Sequence, residues 1–456
     1  MIRALLCWIA LIVAAPVLAK PLTVEQKHQI DTRVLAILKA DGTPSASISI
    51  VVDGKLDYVQ AYGDQRLDRT AASTNARYPI ASISKQFTAA AILLLVEDGK
   101  MSLDDKVAKY LPTLAGADTV TVRELLGHTS GYRDYWPQDY RFEAMEKPTT
   151  PQAILDRWAK APLDFVPGSK FQYSNTGYTA AGLIAEMVAK EPLFALEQRR
   201  IFKPLGMDVV LGATGLSRAD AHGTVRYALG SARPTSGEEA GWAFAAGDLA
   251  MTPSELAKWN IARLKRSVLK PASWQLQETN IAPADASRLY GLGVGIVSNG
   301  SHPSIRHNGG WTGYHLSNRV YPTDRAAVTV FTNNGTSTAF TAIADDIEAI
   351  IFEIADDAVQ ARALFAMLRE GHIDRAQFTD NGNGYFTTTA LVDYHASLSP
   401  LGQPLRVASN GPKIARGGLT IQEFIFTFAD RKLSATLETE PESHRVEQFT
   451  LAPSIE

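Results

Sequence analysis

Ser82-Ile83-Ser84-Lys85 stands directly ahead of an apolar run, Phe87 to Val96, in this chain of 456 residues. The run is hydrophobic on nearly every side of a helical wheel, which indicates a buried helix, and Gly99 is placed to end it. Ser82 and Lys85 would share one face of its first turn. The amine can then reach the hydroxyl, and burial beside the positive helix end favours the neutral amine that proton abstraction needs. The segment therefore predicts a buried helix that begins at a reactive serine.

The Ser-x-x-Lys pattern is weak evidence by itself, because it occurs a second time at Ser267-Val268-Leu269-Lys270. About one match is expected by chance in a chain of this length. Lys270 lies in a basic stretch and precedes Pro271, which disfavours a helix that continues there. We interpret this copy as the chance match. The alternative for the first copy is an ordinary helix N-cap serine with a solvated lysine.

Two further motifs separate the first copy from coincidence. They are Tyr173-Ser174-Asn175 and His307-Asn308-Gly309-Gly310, each the only Tyr-x-Asn or His-x-Gly in the sequence. With these motifs the chain resembles the serine β-lactamase and penicillin-binding protein superfamily, in the branch that holds class C β-lactamases, D-alanyl-D-alanine carboxypeptidases, D-aminopeptidases and related esterases. The resemblance covers about residues 25–350. Its supporting phrases are Leu125-Leu126-Gly127-His128-Thr129-Ser130-Gly131, Phe171-Gln172-Tyr173-Ser174-Asn175-Thr176-Gly177-Tyr178, Tyr290-Gly291-Leu292-Gly293 and His307-Asn308-Gly309-Gly310-Trp311-Thr312-Gly313-Tyr314.

The resemblance implies an acyl-enzyme mechanism. Ser82 is implied to be the acylated nucleophile and Lys85 the group that takes its proton. Tyr173 is implied to relay protons to the leaving group and to the deacylating water. His307 is implied to lie on the strand facing the serine, where it polarises the tyrosine hydroxyl or binds a substrate carboxylate. Asn175 is implied to orient the amide or carbonyl group of the substrate.

The resemblance also implies an oxyanion hole, formed by the backbone N–H groups of Ser82 and Gly310. Glycines at 309 and 310 suit this role, since a strand edge without side chains lets a substrate lie against it. We expect the substrate to contact Asn308, Gly309, Trp311 and Tyr135. Tyr132, Trp136 and Tyr314 are similar aromatic candidates, for which plain packing is the alternative.

Histidine at position 307 is a departure from the motif of many β-lactamases and penicillin targets, which have lysine there. Histidine is found among certain carboxypeptidases, aminopeptidases and esterases of the family. Because histidine can be neutral near pH 7, it is less suited than lysine to bind a substrate carboxylate. This departure favours peptidase or esterase action over β-lactamase action. His128 is predicted to be structural, since its Gly-His-Thr-Ser-Gly context is not a Gly-x-Ser-x-Gly elbow.

The remaining patterns predict an α/β fold of the β-lactamase type, with an antiparallel sheet flanked by helices and an all-helical subdomain. A capping box at Thr23 begins the first helix, and alternation on both sides of Asp53-Gly54 predicts a β-hairpin. Helical patterns dominate from about residue 80 to 270. Strands are predicted again in the next segment, followed by a helix over about 341–354. The three predicted strands are Gly291 to Val297, His315 to Tyr321 and Ala326 to Thr332.

A second, smaller α+β domain is predicted at the C-terminus. Its helix runs through Leu364, Phe365 and Leu368, and its strands cover residues 421–428, 433–438 and 446–451. We place the hydrolase domain at residues 20–355 and this domain at residues 356–456. It resembles the cystatin-like and nuclear-transport-factor-like modules that are appended to some hydrolases of the family. The sequence leaves three roles open for this domain: covering the catalytic cleft, self-association and binding of a partner.

The N-terminus has the pattern of a secretory signal peptide over residues 1–19. Arg3 precedes an apolar run from Ala4 to Val17, and Ala19 ends a cleavage-type sequence. The run is short for a membrane span, and no stable membrane anchor is expected. Cys7, the one cysteine of the chain, lies within this leader. The mature chain is therefore expected to be exported, periplasmic or secreted, without disulfide or thiol chemistry.

Composition narrows the classes of function. Hydrophobic residues make up 45% and charged residues 20% of the chain, as in a globular protein. The net charge is -3, and the sequence contains no long run of charges of one sign, so no nucleic-acid partner is expected. No His-Glu-x-x-His and no dinucleotide-binding glycine pattern occur, so neither a metal nor a cofactor is expected. The oligomeric state stays open.

The leading prediction is an exported serine hydrolase that cuts an amide or ester through an acyl-serine. Its substrate would be a small molecule or a peptidoglycan peptide, as for a D-alanyl-D-alanine carboxypeptidase or an esterase. The alternatives are a class C-type β-lactamase and a non-catalytic protein that binds peptidoglycan fragments or a partner. The complete set of serine, lysine, tyrosine and histidine favours an enzyme, since binding alone needs no lysine one turn from a serine.

Overall fold

The structure is a computed structural model that describes residues 21–138, 140–228, 230–284, 286, 288–298, 302–352, 357–404, 406–411, 413–428 and 430–454. The predicted signal peptide, residues 1–19, lies outside the described residues, and so does the predicted domain boundary between residues 355 and 356. Contacts divide the chain into two compact units that part after Ile351.

The first unit combines strands and helices. Its strands are β1 (Ser45–Val52), β2 (Lys55–Gly63), β3 (Tyr78–Pro79), β4 (Thr224–Val225), β5 (Arg233–Pro234), β6 (Ala250–Met251), β7 (Leu289–Tyr290), β8 (Gly295–Val297), β9 (Ser304–Trp311), β10 (Tyr314–Tyr321) and β11 (Ala326–Thr332). Its helices are α1 (Val24–Asp41), α2 (Lys85–Glu97), α3 (Val122–Leu126), α4 (Pro151–Ile154), α5 (Asn175–Ala189), α6 (Leu193–Glu197), α7 (Lys203–Leu205), α8 (Phe244–Gly247), α9 (Pro253–Leu264), α10 (Pro271–Glu278) and α11 (Ala339–Ile351).

Seven of the described strands form one antiparallel sheet in the order β2-β1-β11-β10-β9-β8-β7. The chain's two halves therefore meet where β1 pairs with β11. Helices α1 and α11 pack against each other, and α9 contacts β1 and β11. The predicted hairpin is confirmed: Asp53 and Gly54 both have positive φ, 48° and 68°, as a type I′ turn requires. The predicted capping box at Thr23 is confirmed as well.

The predicted strand from Gly291 to Val297 is wrong in its first half. The chain instead forms the short hairpin of β7 and β8, whose turn covers residues 291–294. Gly293 has φ 77°, and a Cβ atom there would stand 2.6 Å from the backbone oxygen of Lys85. The turn is therefore set by close approach to another part of the chain, which alternating apolar residues cannot report.

Helix α2 is the buried helix that the apolar run predicts. Every residue from Lys85 to Leu95 is buried, so the helix is covered on all sides. It packs against α5, α6, α8 and α10. Ring contacts fix its first turn, since Phe87 lies 4.8 Å from Trp259 and 5.3 Å from Phe202 between ring centroids. This packing positions the start of α2, where Lys85 lies.

The second unit is a small α+β structure. Its helices are α12 (Asp357–Arg369), α13 (Asp380–Tyr385) and α14 (Thr388–Leu398), and its strands are β12 (Arg406–Ser409), β13 (Ile414–Arg416), β14 (Leu419–Thr427), β15 (Lys432–Thr439) and β16 (Val446–Pro453). The sheet order is β12-β14-β15-β16, with β13 also paired to β14. Phe365 of α12 stacks on Phe426 and Phe428, and these rings form the centre of the core. The predicted helix and the three predicted strands are confirmed.

In the part of the chain that the structure describes, none of the helices has the length and apolar character needed to span a membrane.

Candidate active site

Ser82 lies in a single 3₁₀ turn, Ala81–Ser84, that runs directly into α2. Ala81 has φ 49°, a left-handed conformation that costs energy for a residue with a Cβ atom. The turn is held against β9, since a Cβ atom at Gly309 would stand 2.4 Å from the backbone oxygen of Ile80. Gly309 is therefore needed for close approach of the strand to the serine turn. It is not among the residues that line the cavity, and its predicted contact with substrate stays a prediction.

The amine of Lys85 lies beneath Ser82 and is fully buried. Its Nζ atom is 3.0 Å from Ser82 Oγ, 2.8 Å from Asn175 Oδ1 and 2.8 Å from the backbone oxygen of Ala246. A neutral amine has two N–H groups and one lone pair. The two carbonyl oxygens can take the N–H groups, which leaves the lone pair facing the serine hydroxyl.

Burial lowers the pKa of Lys85 to about 7, and the negative charge of Asp134 opposes this shift. The neutral amine is therefore well populated near pH 7, as a general base requires.

The Tyr173 hydroxyl donates to Ser82 Oγ from the other side, at 2.8 Å. Burial raises the pKa of this phenol, so it stays protonated at neutral pH and can serve as a proton donor. The ring is held between the Lys85 amine, 4.8 Å from its centroid, and the His128 ring, 4.1 Å away. Ser82 thus has a base on one side and an acid on the other.

Asp134 is a site residue that the sequence analysis missed. Its carboxylate accepts from the backbone N–H of Asn175 at 3.0 Å and from the Asn175 side chain at 3.3 Å. The amide of Asn175 is thereby turned so that its oxygen meets Lys85. Both ends of this amide are engaged within the protein. The available signal was position: Asp134 follows the His128-Thr129-Ser130-Gly131 phrase by a few residues.

His307 contacts Tyr290, another residue to which no role was given. The Tyr290 hydroxyl lies 2.8 Å from His307 Nε2 and 3.3 Å from His128 Nε2. The ring of His307 is 6.3 Å from that of Tyr173, between centroids. Its hydrogen-bond partner is therefore Tyr290 and not the Tyr173 hydroxyl. Tyr290 does lie in one of the phrases that carry the family resemblance.

His128, Tyr290 and His307 form a row of hydrogen bonds, and the backbone groups at its two ends indicate the direction of each bond. His128 Nδ1 accepts from the backbone N–H of Ser174 at 3.0 Å, so the proton of His128 is on Nε2 and is donated to Tyr290. The Tyr290 hydroxyl then donates to His307 Nε2. The proton of His307 is left on Nδ1, which donates to the backbone oxygen of Asn308 at 2.6 Å.

Burial lowers the pKa of His307 to about 3 and that of His128 well below its usual value. Both rings are therefore neutral at pH 7, in agreement with the acceptor role of His128 Nδ1 and with the directions given above.

The cavity above Ser82 has a volume of about 830 Å³. Ser82, Tyr173 and His307 line it, together with Tyr135, Trp136, Asn308, Gly310 and Trp311. Tyr132 and Tyr314 do not line it, and both are buried. Arg288 reaches the cavity from an exposed position and makes no hydrogen bond or ion pair with any described residue. Within the described ranges, no group of three or more histidine or acidic side chains could hold a metal ion.

A serine placed between a buried lysine and a tyrosine is the arrangement of serine hydrolases that use an amine as the base. The model of the Beta-lactamase family matches residues 30–351. The chain therefore belongs to this family. The predicted family and the predicted fold class are confirmed.

Individual relatives agree with this assignment. Protein flp of Staphylococcus aureus (strain COL) is 35% identical over 196 residues, which are 41% of this chain and 38% of that protein. A protein of Escherichia coli (strain K12), named "Putative D-alanyl-D-alanine carboxypeptidase", is 30% identical over 203 residues, 40% of this chain and 46% of its own. The chain thus spans less than half the length of the curated relatives that it matches. The structure of D-amino acid amidase from Ochrobactrum anthropi SV3 matches with a TM-score of 0.63 and 25% identity, over 72% of this chain and 99% of the amidase.

Proposed function

We propose that this chain hydrolyses an amide or ester bond through an acyl intermediate on Ser82, with small amides or esters as its substrates. The observation that carries the proposal is the pair of contacts on Ser82 Oγ, 3.0 Å from the Lys85 amine and 2.8 Å from the Tyr173 hydroxyl. A binding protein has no need of a buried amine aimed at a serine.

The proposed reaction has two steps. Ser82 Oγ attacks the carbonyl carbon while its proton passes to Lys85, and the backbone N–H groups of Ser82 and Gly310 receive the oxyanion. The leaving group takes a proton from Tyr173 as its bond to carbon breaks, and the proton on Lys85 then restores the phenol. Water attacks the acyl ester in the second step, releasing the acid and the free serine.

The substrate class is supported by the state of His307. A neutral ring that accepts from Tyr290 and donates to a backbone carbonyl offers no positive charge to a substrate carboxylate. This favours substrates without a carboxylate beside the scissile bond, such as amino acid amides and simple esters. The similarity to D-amino acid amidase supports the same class.

Cleavage of D-alanyl-D-alanine peptides is the second candidate, and Arg288 favours it. The guanidinium is a permanent charge that lines the cavity without a partner among the described residues, so it is free to bind a terminal carboxylate. The Escherichia coli relative supports this candidate by its name.

The experiment compares Ser82→Ala with Ser267→Ala, the serine of the second Ser-x-x-Lys copy. Turnover is measured on amino acid amides, p-nitrophenyl esters, a D-Ala-D-Ala peptide and nitrocefin, with mass spectrometry of the acyl-enzyme. We expect Ser82→Ala to lose at least about a thousandfold in kcat/KM and all acylation, and Ser267→Ala to match the wild type. Acylation of the Ser82→Ala variant would overturn the acyl-serine proposal.

The panel also separates the substrate classes. Amide or ester turnover that Arg288→Gln leaves unchanged supports the first candidate. A preference for the D-Ala-D-Ala peptide supports the second candidate if kcat/KM for this peptide falls about tenfold or more in Arg288→Gln. Fast nitrocefin turnover would instead identify a β-lactamase, and binding without any turnover a non-catalytic protein.

We also propose that the protein is exported, on the strength of the signal-peptide pattern over residues 1–19. The mass of the protein recovered outside the cytoplasm tests this, since cleavage would begin the chain at Lys20.

A further inference from the structure

A second cavity lies on the other side of the segment that borders the catalytic cavity. Ala243, Ala246 and Gly247 line the catalytic cavity, whereas Phe244, Ala245 and Asp248 line the second. The serine turn is divided in the same way, with Ser82 in the first cavity and Ser84 in the second. The second cavity has a volume of about 460 Å³, which is in the range of small-molecule sites.

The walls of the second cavity are apolar but contain carboxyl groups. Leu183, Leu193, Phe194 and Phe244 supply aliphatic and aromatic surface. Three acidic side chains also line it, from α5, α6 and the residue after α8: Glu186, Glu197 and Asp248. The described lining residues include no lysine, arginine or histidine. Charge therefore disfavours an anionic ligand and favours a cation.

Two polar groups beside this cavity have no partner among the described residues. Glu197 is 3% exposed and makes no hydrogen bond or ion pair with a described residue. Ser84 is 2% exposed, and its Oγ atom has neither a described hydrogen-bond partner nor appreciable accessible surface. The other two carboxyl groups are engaged: Glu186 accepts from the backbone N–H of Leu193, and Asp248 from that of Ala213, both at 2.8 Å. Buried polar groups normally have partners, so the Glu197 carboxyl group is the group of this wall that is available to a ligand.

We propose that the second cavity binds a lipophilic primary amine. Its ammonium group donates to the Glu197 carboxylate, and its hydrocarbon part packs against Leu183, Phe194 and Phe244. An ammonium carries only donors and a positive charge, which suits an unpartnered carboxyl group in a wall that contains further acidic side chains. An alcohol could form a hydrogen bond, but it has no positive charge to complement the acidic side chains of the wall.

Release of a proton from Glu197 is a second expected sign of amine binding. Burial raises the pKa of Glu197 well above its usual value, so the free protein holds this carboxyl neutral at pH 7. Burial also raises the pKa of Asp248 to about 6, and Glu186 is the remaining titratable group in the wall. An ammonium favours the charged form of Glu197, so its binding should release close to one proton.

The test uses three probes of equal length: octylamine, octan-1-ol and octanoate. Isothermal titration calorimetry on the full chain at pH 7, in two buffers of different ionisation enthalpy, gives both the affinity and the proton release. We expect octylamine to bind at least about tenfold more tightly than octan-1-ol, with release of about one proton, and octanoate not to bind. Equal or tighter binding of octan-1-ol or octanoate would overturn the proposal.

Two matched carboxyl variants locate the amine. Glu197→Gln replaces a neutral carboxyl group by an amide of the same shape, and Asp134→Asn replaces the carboxylate of the catalytic cavity by an amide. We expect Glu197→Gln to lose at least about tenfold in octylamine affinity and the proton release, and Asp134→Asn to keep both. Loss in Asp134→Asn alone would place the amine beside Lys85 and contradict the proposal.

If Glu197→Gln does not fold, the comparison of the three probes on the wild-type chain decides the proposal by itself.

Discussion

The catalytic cavity and the second cavity share two walls but differ in how their polar groups are satisfied. Around Ser82, the Lys85 amine has three partners and the Asp134 carboxylate has both the backbone and the side chain of Asn175. Glu197 and the Ser84 hydroxyl, on the other side of the same turn, have none among the described residues.

The difference separates chemistry from binding. Burial drives Lys85 and Glu197 alike towards their neutral forms. In the catalytic cavity, however, the hydrogen bonds also fix the direction of each group before a substrate arrives, which is the condition for rapid proton transfer. A carboxyl group without partners, such as that of Glu197, has no such fixed direction, and its hydrogen bonds stay available to a ligand.

The largest expected effect comes from removing the base of the catalytic cavity. Lys85→Met should lower kcat/KM about a hundred- to ten-thousandfold, because no other group accepts the Ser82 proton. Lys270→Met, in the second Ser-x-x-Lys copy, is the matched control and should have full activity. Steady-state kinetics on the best substrate of the panel provides the measurement.

The wild-type pH profile tests the same base. Protonated Lys85 has no lone pair, and its pKa is about 7. The value of kcat/KM should therefore fall about tenfold per pH unit below this pKa and level off above it. A profile that is flat between pH 5 and 8 would contradict the assignment of Lys85 as the base.

Much of the first unit could be predicted because its signals are local. The turn at Asp53-Gly54 and the apolar run of α2 each depend on residues close together in the chain. The strand expected over residues 291–297 failed for the opposite reason. Its turn depends on the approach of Gly293 to Lys85, about two hundred residues away in the chain.

The site shows the same division. Ser82, Lys85 and Tyr173 stand in motifs, and the Lys85 amine and the Tyr173 hydroxyl are each brought within hydrogen-bond distance of Ser82 Oγ. Asp134 holds Asn175, and Tyr290 joins two histidines. These contacts exist only in the folded chain, so residue type and spacing did not distinguish the two residues from packing residues. The partner of His307 was missed for this reason: a tyrosine hydroxyl between two histidines is a property of the folded chain.

Tyr290→Phe should have an intermediate effect, because it removes the hydroxyl that joins His128 to His307. His307 Nε2 then loses its donor, and we expect a fall of about tenfold in kcat/KM as the ring and the neighbouring β9 backbone lose their fixed orientation. A new titration of His307 should also appear in the pH profile, above the pKa of about 3 that the buried ring has in the wild type.

Tyr314→Phe is the control for this variant, since the Tyr314 hydroxyl donates to the backbone oxygen of Ala221 outside the cavity. It tests whether loss of any buried hydroxyl in this unit lowers activity through stability alone. A purely structural role for Tyr290 would give both variants lower thermal stability and the wild-type pH profile.

The smallest expected effect is a difference in unfolding free energy between two serine variants, one beside each cavity. Ser84→Ala removes a buried hydroxyl without a partner, so the unfolding free energy should stay the same or rise by up to about 1 kcal/mol. Ser174→Ala is the counterpart on the catalytic side, where the hydroxyl is the N-cap of α5 and accepts from Gly177 N–H at 3.1 Å. It should lower the unfolding free energy by about 1 kcal/mol. Urea unfolding of the two variants measures both changes. Destabilisation by Ser84→Ala equal to that by Ser174→Ala would mean that the Ser84 hydroxyl is already satisfied, and the contrast between the two cavities would then be lost.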